Sequence, residues 1–298
     1  MTGADQSGAG RRPFGARLAE TITRLGGLCV GIDPHPALVE QWGLTDSAAS
    51  LERFGLTVVD AAAGRVGIVK PQVALFERFG SSGLAALERV IAAARSAGLL
   101  VIADAKRGDI GSTNAGYAAA WLAAEAPLAS DALTISPYLG VDALAPLVDV
   151  ARAESAGLFV LAATSNPEAE ALQSAIVAGG AVGDAQRERT AAESVADAVA
   201  GWNAAGDCGP ASELGSFGIV FGATHAPVSR GLDIRETPGT LPLLVPGFGA
   251  QGAQLGELDT LFPSARHRVV ANVSRSVLRG GAEGLTDRIA EAVGELQA

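Results

Sequence analysis

Eight short apolar runs recur along the chain, separated by longer Ala-rich segments, and this alternation limits the fold more than any other feature. Each run is almost continuously apolar and rich in Val, Ile or Leu, which is typical of strands buried on both faces of a parallel sheet. Eight strand–helix units in one row predict a (β/α)8 barrel of the α/β class. The runs are LCVGID (28–33), VGIVKPQ (66–72), LLVIADAK (99–106), DALTIS (131–136), LFVLAAT (158–164), FGIVFGAT (217–224), LPLLVPG (241–247) and HRVVANV (267–273).

The segments between the runs have the amphipathic pattern of helices. We find no linker and no shared internal repeat, so we predict a single barrel domain at 13–298 after a flexible Gly/Ser/Ala-rich tail at 1–12. The longest connection, at about 165–216, joins the fifth and sixth predicted strands. A doubly wound open sheet stays possible, because periodicity does not show whether a sheet closes. The predicted helices are 47–64, 81–97, 112–125, 142–155, 185–205 and 275–297, with Ser47, Ser112 and Asp142 as N-caps.

The composition argues against several classes of protein. Hydrophobic residues make up 48% of the 298 residues, which is enough for a large core and too much for a disordered chain. The formal net charge of −10 argues against a nucleic-acid partner or an anionic membrane surface, although a site can be locally positive. No apolar run approaches the ~20 residues that span a bilayer, and the first residues lack a signal peptide's apolar stretch. Two cysteines, Cys29 and Cys208, form neither a disulfide framework nor a zinc motif. We therefore expect a soluble, cytoplasmic protein.

Lysine is used at only two positions. Lysine and arginine together number 22, and of these only Lys70 and Lys106 are lysine. Both lie at the ends of predicted strands, where the catalytic groups of a barrel are found. Lysine differs from arginine in having a compact charge and in giving up its proton more readily. The placement therefore favours a functional need for lysine over a remnant of compositional drift.

The segment DAKRGDIGST (104–113) carries the densest group of charges at a strand end. Residues two apart on a strand face the same way, so Asp104 and Lys106 project together if the strand persists to 106. Lys70 ends the neighbouring strand, and Asp109 follows after a turn. The expected row of Lys70, Asp104, Lys106 and Asp109 alternates in sign, which lets four charges be desolvated together. A purely structural ion-pair network is the alternative, but arginine would serve there equally well.

The segment VPGFGAQGA (245–253) follows the seventh predicted strand and offers backbone N–H groups that can hold an anion. Arg275 follows the eighth strand, and loops after strands seven and eight commonly hold phosphate in barrels. Residues 247–252 also match the dinucleotide pattern G-x-G-x-x-G. That match lies near the C-terminus rather than in a first βαβ unit, so an NADP-dependent oxidoreductase is the weakest alternative.

Taken together, these motifs resemble one family. GIDPHP, VKPQ, DAKRGDIGST, SPYLG, LAATSNP, VPGFGAQG and NVSRSV occur in the order found in orotidine 5′-phosphate decarboxylases. The DAKRGDIG signature is similar to that of their longer bacterial branch, and the resemblance extends over nearly the whole chain. It implies that orotidine 5′-monophosphate (OMP) is decarboxylated to UMP, the last step of de novo pyrimidine nucleotide synthesis. It also implies that no cofactor or metal is used and that two chains form a homodimer with shared active sites.

The resemblance further implies a role for each site residue. Lys106 protonates C6 of the substrate, Asp104 lies beside the substrate carboxylate, and Lys70 anchors Asp104. The other implied contacts are Asp33 and Lys70 with the ribose hydroxyls, Ser165 with the pyrimidine edge, Pro246 with the pocket wall, Gln251 and Arg275 with phosphate, and Asp109, Ile110 and Thr113 with the neighbouring subunit's site.

Two residues depart from the family pattern. Ser274 stands where a glycine often precedes the phosphate-binding arginine, and Ala253 stands where a second glycine is common. Both departures concern the backbone expected around the phosphate.

Two further functions stay open. The D-x-K-x-x-D core at 104–109 is also found in hexulose-phosphate synthase and ketogulonate-phosphate decarboxylase, so a metal-dependent sugar-phosphate lyase or decarboxylase is the second hypothesis. A barrel that binds nucleotide monophosphates without catalysis is the third, and the four-residue charge row argues against it. Each of these hypotheses expects a small-molecule partner and no membrane.

Overall fold

The computed structural model describes residues 11–177, 188–206, 214–249 and 252–298. Eight parallel strands close into a barrel in which each strand pairs with its neighbours in the chain and the last pairs with the first. Every predicted apolar run overlaps one of these strands, so the predicted (β/α)8 barrel is confirmed and the open sheet is excluded. The strands are β1 (Leu28–Ile32), β2 (Ile68–Pro71), β3 (Leu100–Arg107), β4 (Ala132–Ile135), β5 (Gly157–Ala163), β6 (Phe217–Phe221), β7 (Leu243–Pro246) and β8 (Val269–Val273).

Helices surround the barrel and cover its outer face. Their apolar sides form one large cluster with the outward-facing residues of the strands. None of the helices in the described ranges is long and apolar enough to cross a membrane. The helices are α1 (Phe14–Leu25), α2 (Pro36–Gln41), α3 (Ala48–Ala62), α4 (Val73–Glu77), α5 (Gly80–Ser96), α6 (Gly111–Trp121), α7 (Ala145–Ala153), α8 (Glu170–Gln173), α9 (Ala191–Ala204), α10 (Leu258–Leu261), α11 (Arg275–Leu278) and α12 (Leu285–Gln297).

A second, smaller apolar cluster fills the inside of the barrel. Successive side chains of a strand face opposite sides, so Cys29 of β1 enters this inner cluster while Leu28 and Val30 enter the outer one. Burial keeps the thiol of Cys29 neutral by raising its pKa to about 12. The other fully enclosed members of the inner cluster are Phe14, Leu18, Ile68, Ile102, Ala132, Phe159 and Val270.

Helix α1 was not predicted, and it closes the end of the barrel at which the strands begin. Phe14 and Leu18 are completely buried in the inner cluster. The Phe14 ring packs edge-on against Phe159 with centroids 6.0 Å apart. A Cβ at Gly157 would lie 2.2 Å from Phe14 Cδ1, so this approach requires glycine. The i, i+4 spacing of Phe14, Leu18 and Ile22 is typical of a helix and could have predicted α1.

Ion pairs join the residues around α1 to the start of the barrel strands. Arg11 and Arg17 both pair with Asp131 Oδ1, while Asp131 Oδ2 accepts a hydrogen bond of 2.9 Å from Val101 N. Burial lowers the pKa of Arg17, although the Asp131 carboxylate opposes that effect. Residues 1–10 of the predicted tail lie outside the described residues. Arg11 of the tail forms one of the ion pairs with Asp131.

One of the three predicted N-caps is confirmed and two are wrong. The Ser47 hydroxyl accepts a hydrogen bond of 3.2 Å from a backbone N–H in the first turn of α3. Helix α6 begins at Gly111, with a φ of 51°, so Ser112 lies inside the first turn. Asp142 lies within a 3-10 turn at Val141–Leu144 that precedes α7.

Two predicted helices have different bounds in the structure. The segment predicted as one helix at 275–297 forms α11 and α12, because Gly280 and Gly281 turn the chain with φ values of 94° and 85°. Such left-handed conformations cost glycine little. Helix α9 begins later than predicted, at Ala191, where Thr190 forms a capping box with the first turn.

The connection between β5 and β6 contains α8, α9 and a pair of short antiparallel strands, Ile176–Val177 and Arg189–Thr190. Its residues 178–187 and 207–213 lie outside the described ranges. A second antiparallel pair, Val228–Ser229 with Leu232–Asp233, lies between β6 and β7. Arg230 links the two regions, because its guanidinium pairs with Glu170 and donates to the carbonyl of Asn166 at 3.1 Å.

Replacing Phe14 by alanine should lower the free energy of unfolding by about 3–5 kcal/mol, because it removes a buried ring and leaves a cavity. Urea denaturation followed by circular dichroism measures this change. Arg24→Ala, on the exposed side of α1, is the control and should stay within about 0.5 kcal/mol of wild type. Equal stability of the two variants would show that α1 does not belong to the barrel core.

Candidate active site

Polar side chains line a cavity of about 640 Å³ at the carboxyl ends of the barrel strands. They occupy inward positions beyond the inner apolar cluster, where each strand reaches the barrel mouth. Catalytic groups of (β/α)8 barrels are found at this end. Most of the predicted site residues line the cavity, namely Asp33, Lys70, Asp104, Lys106, Ser165, Pro246 and Arg275.

Asp104 lies between the two lysines of the chain. Lys70 Nζ donates to Asp104 Oδ2 at 2.6 Å, and Lys106 Nζ donates to Asp104 Oδ1. The Lys70 and Asp104 side chains are buried, with exposures of 6% and 9%, whereas the Lys106 side chain is 47% exposed. The sequence therefore placed these three residues correctly relative to one another, and the row is open to the cavity at Lys106.

The two lysines keep the buried carboxylate charged. Burial alone would raise the pKa of Asp104, but the ammonium groups of Lys70 and Lys106 outweigh burial and hold that pKa well below its usual range. Burial alone would lower the pKa of Lys70. The carboxylates of Asp104 and Asp33 outweigh this effect and raise the pKa of Lys70. The Asp104 carboxylate and the Lys70 ammonium are therefore both charged at neutral pH without a ligand.

The ends of β2 and β3 set this geometry. A bridge between Gln72 and Asp104 continues the pairing of the two strands beyond β2. The pairing of β3 with β4 then shifts between Ala103 and Arg107. Within this bulge Lys106 has a φ of 49°, which is uncommon for a residue other than glycine. The contact between Lys106 Nζ and Asp104 is made within this irregular part of β3.

Two buried polar residues of the cavity were missed by the sequence analysis. Thr134 of β4 accepts a hydrogen bond of 3.0 Å from Lys106 N and donates one of 3.1 Å to Asp104 Oδ1. Asn272 of β8 also lines the cavity and is 8% exposed. Both lie inside runs that look like ordinary apolar strands. Strand alternation is the sequence feature that could have identified such residues. It places residue 134 on the same side of β4 as Ala132 of the inner cluster.

Three buried oxygen atoms near Arg275 have no hydrogen-bond partner within the described residues: Asp33 Oδ1, Asn272 Oδ1 and Ser274 Oγ. Unpaired buried acceptors cost free energy, so these atoms call for donors from a ligand or from water. Arg275 begins α11 directly after Ser274 and lines the same cavity. Across the described ranges, no group of three or more His, Cys, Asp or Glu side chains is arranged to hold a metal ion.

Three glycines of the loop after β7 have positive φ values. Gly247, Gly249 and Gly252 have φ values of 117°, 73° and 109°, which favour glycine at each position. Ala253 accepts a hydrogen bond of 2.8 Å from Gly249 N. Gln251 lies outside the described residues. The loop follows the seventh strand of a closed barrel, a common phosphate position, rather than opening a first βαβ unit as the NADP alternative requires.

Asp109 does not join the charge row within one chain. Neither Asp109 nor the following Ile110 and Thr113 line the cavity, and Ile110 is 61% exposed. The chain turns away from the barrel mouth after β3, and Asp109 N donates to Asn114 Oδ1 of α6 at 2.9 Å. One chain therefore brings together three members of the predicted row, and the place of Asp109 in a neighbouring subunit's site stays a prediction. The second negative charge that Lys70 meets in the chain is that of Asp33.

A family model with the description "orotidine 5′-phosphate decarboxylase / HUMPS family" matches residues 26–283. This chain belongs to the orotidine 5′-phosphate decarboxylase / HUMPS family. Orotidine 5′-phosphate decarboxylase of Streptomyces coelicolor is 52% identical over 271 residues, which cover 90% of this chain and 91% of that protein. The protein of the same name from Salinispora arenicola is 52% identical over 268 residues and 90% of each chain.

Solved structures agree with this family. A Streptomyces avermitilis crystal structure, described as a candidate orotidine 5′-phosphate decarboxylase, is 46% identical with a TM-score of 0.87. The alignment covers 99% of this chain and 98% of that one. Leishmania donovani OMP decarboxylase is 31% identical with a TM-score of 0.72, and the alignment covers 96% and 99% of the two chains.

In this family member, Asp104→Asn should lower the free energy of unfolding by about 3–5 kcal/mol near pH 7, because it leaves Lys70 buried without its nearest counter-charge. The pKa of Asp104 is lower in the folded protein than in the unfolded chain, where it is ~3.9. Ionised Asp104 therefore stabilises the fold at pH values above ~3.9, and this stabilisation is lost as the pH falls below ~3.9. Lys70 stays protonated throughout, since its pKa is raised. The difference between wild type and variant should therefore be constant from about pH 5 to 7 and shrink towards about pH 3.

Urea unfolding at each pH measures this difference. Asp46→Asn is the control, because Asp46 pairs with Arg78 on the surface and should cost no more than about 1 kcal/mol. A difference for Asp104→Asn that stays unchanged down to about pH 3 would contradict the depressed pKa.

Proposed function

We propose that this protein decarboxylates OMP to UMP and that it belongs to the longer bacterial branch with the DAKRGDIG signature. The observation that carries the proposal is the row of Lys70, Asp104 and Lys106 in a cavity of about 640 Å³. The 52% identity to the Streptomyces coelicolor enzyme over 90% of the chain supports this substrate. The Streptomyces and Salinispora relatives support the bacterial branch. We further propose that the enzyme acts in the cytoplasm, where phosphorylated nucleotides are made.

OMP decarboxylation is better supported than the two alternatives. The family model also covers the HUMPS group, so the D-x-K-x-x-D core at 104–109 does not separate it from a sugar-phosphate enzyme. The relatives at about 52% identity are named orotidine 5′-phosphate decarboxylase, and the alignments cover about nine-tenths of their length. A barrel that only binds nucleotides has no evident need for two ammonium groups around one buried carboxylate.

The cavity offers a partner for each part of OMP. Arg275 and the glycine loop after β7 suit the phosphate. Gln251, which lies outside the described residues, stays a further donor that the family resemblance implies. Ribose hydroxyls are donors, and Asp33 Oδ1 is a buried acceptor without a partner among the described residues. Ser165 and Pro246 line the wall that remains for the pyrimidine ring. Bound this way, the substrate carboxylate lies next to Asp104.

Repulsion between the two carboxylates destabilises bound OMP. At ~4 Å and an effective dielectric constant of ~20, two like charges repel by about 4 kcal/mol. Full relief of this repulsion in the transition state is worth roughly three powers of ten in rate. Slow reactions of this kind can require ~20 kcal/mol or more from the enzyme, so repulsion is a minor contribution. The larger part must come from charges already in place for the carbanion and from binding energy at the phosphate.

Lys106 supplies both the charge and the proton. The bond between C6 and the carboxyl carbon breaks, the electron pair stays on C6, and carbon dioxide leaves. The Lys106 ammonium attracts this pair and then transfers a proton to C6, which completes UMP. Neutral Lys106 regains its proton from solvent, which its 47% exposed side chain can reach. Guanidinium gives up a proton far less readily, which explains lysine at this position.

A homodimer with shared sites would give Asp109, Ile110 and Thr113 a function. These residues do not line the cavity of their own chain, and the apolar Ile110 is 61% exposed. Tyr138 and Leu139, in the loop after β4, are also exposed, at 75% and 55%. Exposed large apolar side chains near a barrel mouth are typical of a protein interface. We therefore propose that a second copy covers them and receives Asp109 in its own site.

Lys106→Ala and Lys106→Arg should each lower kcat for OMP by at least about a thousandfold, because neither side chain both attracts the carbanion and releases a proton. Formation of UMP, measured by chromatography, gives the rates. EDTA-treated wild type and the distant variant Arg24→Ala should keep full activity. A wild-type rate in either Lys106 variant would contradict the proposed role of Lys106 as the proton donor. Loss of turnover on chelation, with no action on OMP, would favour the sugar-phosphate enzyme, and UMP binding without turnover would favour the binding protein.

Mixing inactive Lys106→Ala with inactive Asp109→Ala should restore activity if the sites are shared. A mixed dimer then has one site in which both residues are intact and one in which both are replaced. Random exchange of subunits should give about a quarter of the wild-type activity. Co-purification of the untagged variant with a tagged copy of the other variant confirms that mixed dimers have formed. No recovery in confirmed mixed dimers would place Asp109 in the site of its own chain.

A further inference from the structure

Thr134 bonds to both Asp104 and Lys106 of β3. It lies in the middle of β4, is 1% exposed, and lines the cavity beneath Lys106 and Asp104. Its hydroxyl accepts from Lys106 N at 3.0 Å and donates to Asp104 Oδ1 at 3.1 Å. Asp104 Oδ1 is also the oxygen that pairs with Lys106 Nζ. The hydroxyl therefore connects the backbone of Lys106 with the carboxylate that holds its ammonium group.

The direction of both hydrogen bonds follows from the chemistry of the groups. A backbone N–H can only donate, so the Thr134 oxygen must act as the acceptor for Lys106 N. A hydroxyl has a single proton, and the ionised carboxylate of Asp104 can only accept. The Thr134 proton is therefore directed at Asp104. Hydrogen bonds to a charged acceptor are stronger than those between neutral groups.

The sheet itself leaves Lys106 N without a regular partner. Ala103 pairs with Leu133 and Arg107 pairs with Ile135, so residues 104–106 of β3 lie opposite Thr134 alone. The β4 backbone cannot supply an acceptor to each of three residues from one position. The Thr134 side chain replaces the missing ladder bond at the point where Lys106 adopts a φ of 49°. An unusual backbone conformation persists where its surroundings hold it.

We propose that Thr134 is a positioning residue that holds the Asp104 carboxylate and the Lys106 backbone in one fixed arrangement, so that the Lys106 ammonium stays aimed at the reacting carbon. This inference rests on the proposed decarboxylation of OMP. Thr134 acts through Asp104 and Lys106, and no covalent step passes through it.

Replacement of Thr134 by valine tests this role, because valine keeps the shape and removes the hydroxyl. Thr134→Val should lower kcat for OMP about 10- to 100-fold, since it leaves Lys106 N unpaired and Lys106 less well held. KM should change little, because the phosphate and ribose contacts are untouched. Thr134→Ser, which restores the hydroxyl, should recover most of the lost rate. Thr21→Val removes a buried hydroxyl from α1 and should leave kcat unchanged.

Hydrogen exchange of the Lys106 amide in the ligand-free protein gives a readout that needs no turnover. The amide should exchange slowly in wild type and in Thr134→Ser, and faster in Thr134→Val. Wild type that fails to convert OMP would overturn the proposed function, while amide exchange would still decide whether Thr134 holds Lys106. A Thr134→Val protein with wild-type kcat and wild-type amide protection would overturn the positioning role. A loss of kcat that serine does not recover would assign the effect to packing and would also overturn it.

Discussion

The active site depends on one buried carboxylate that two ammonium groups keep ionised. An isolated charge at the position of Asp104 would cost several kcal/mol and would be neutralised instead. Lys70 bonds to one of its oxygens and Lys106 to the other, so neither oxygen is left unpaired. Each group stabilises the charged form of the next, and Asp33 adds a second negative charge beside Lys70. The charges of Asp104 and Lys70 are therefore in place before a ligand arrives, which is what electrostatic catalysis requires.

The barrel makes this arrangement possible by bringing together residues that are distant in the chain. Parallel pairing places the end of β2 beside β3, so Lys70 meets Asp104 across the sheet. Below them the inner apolar cluster, closed by α1, fills the barrel and keeps water from the buried side of the row. Phe14 is separated from the charged row by this apolar layer. Thr134 bonds to the charged residues directly, so its substitution affects them directly. The apolar closure by α1 and the charged row therefore lie at opposite ends of the same strands.

The sequence predicted those parts of the fold and site that depend on short-range patterns. Strands buried on both faces produce apolar runs, so all eight were found, and strand alternation placed Asp104 and Lys106 on one side. Helix α1 was missed because it precedes the first strand and lies outside the repeating strand–helix pattern. Thr134 was missed because a single hydroxyl in an apolar run does not reveal that the facing strand is irregular. The position of Asp109 depends on where the chain turns after β3, which the residue types alone do not determine.

The two lysines and the buried arginines differ in the number of acceptors around them. Arg268, just before β8, is 3% exposed and has no acidic partner among the described residues. Its guanidinium donates to the carbonyls of Ile234, Pro238 and Leu241 and to the hydroxyl of Thr237, and burial lowers its pKa to about 10. A guanidinium has five donors and needs such a ring of oxygens when buried. Lys70 bonds to one carboxylate oxygen among the described residues, so an ammonium there leaves fewer buried N–H groups unpaired than a guanidinium would. The small number of acceptors therefore favours lysine at position 70, and at position 106 lysine fits the proposed transfer of a proton.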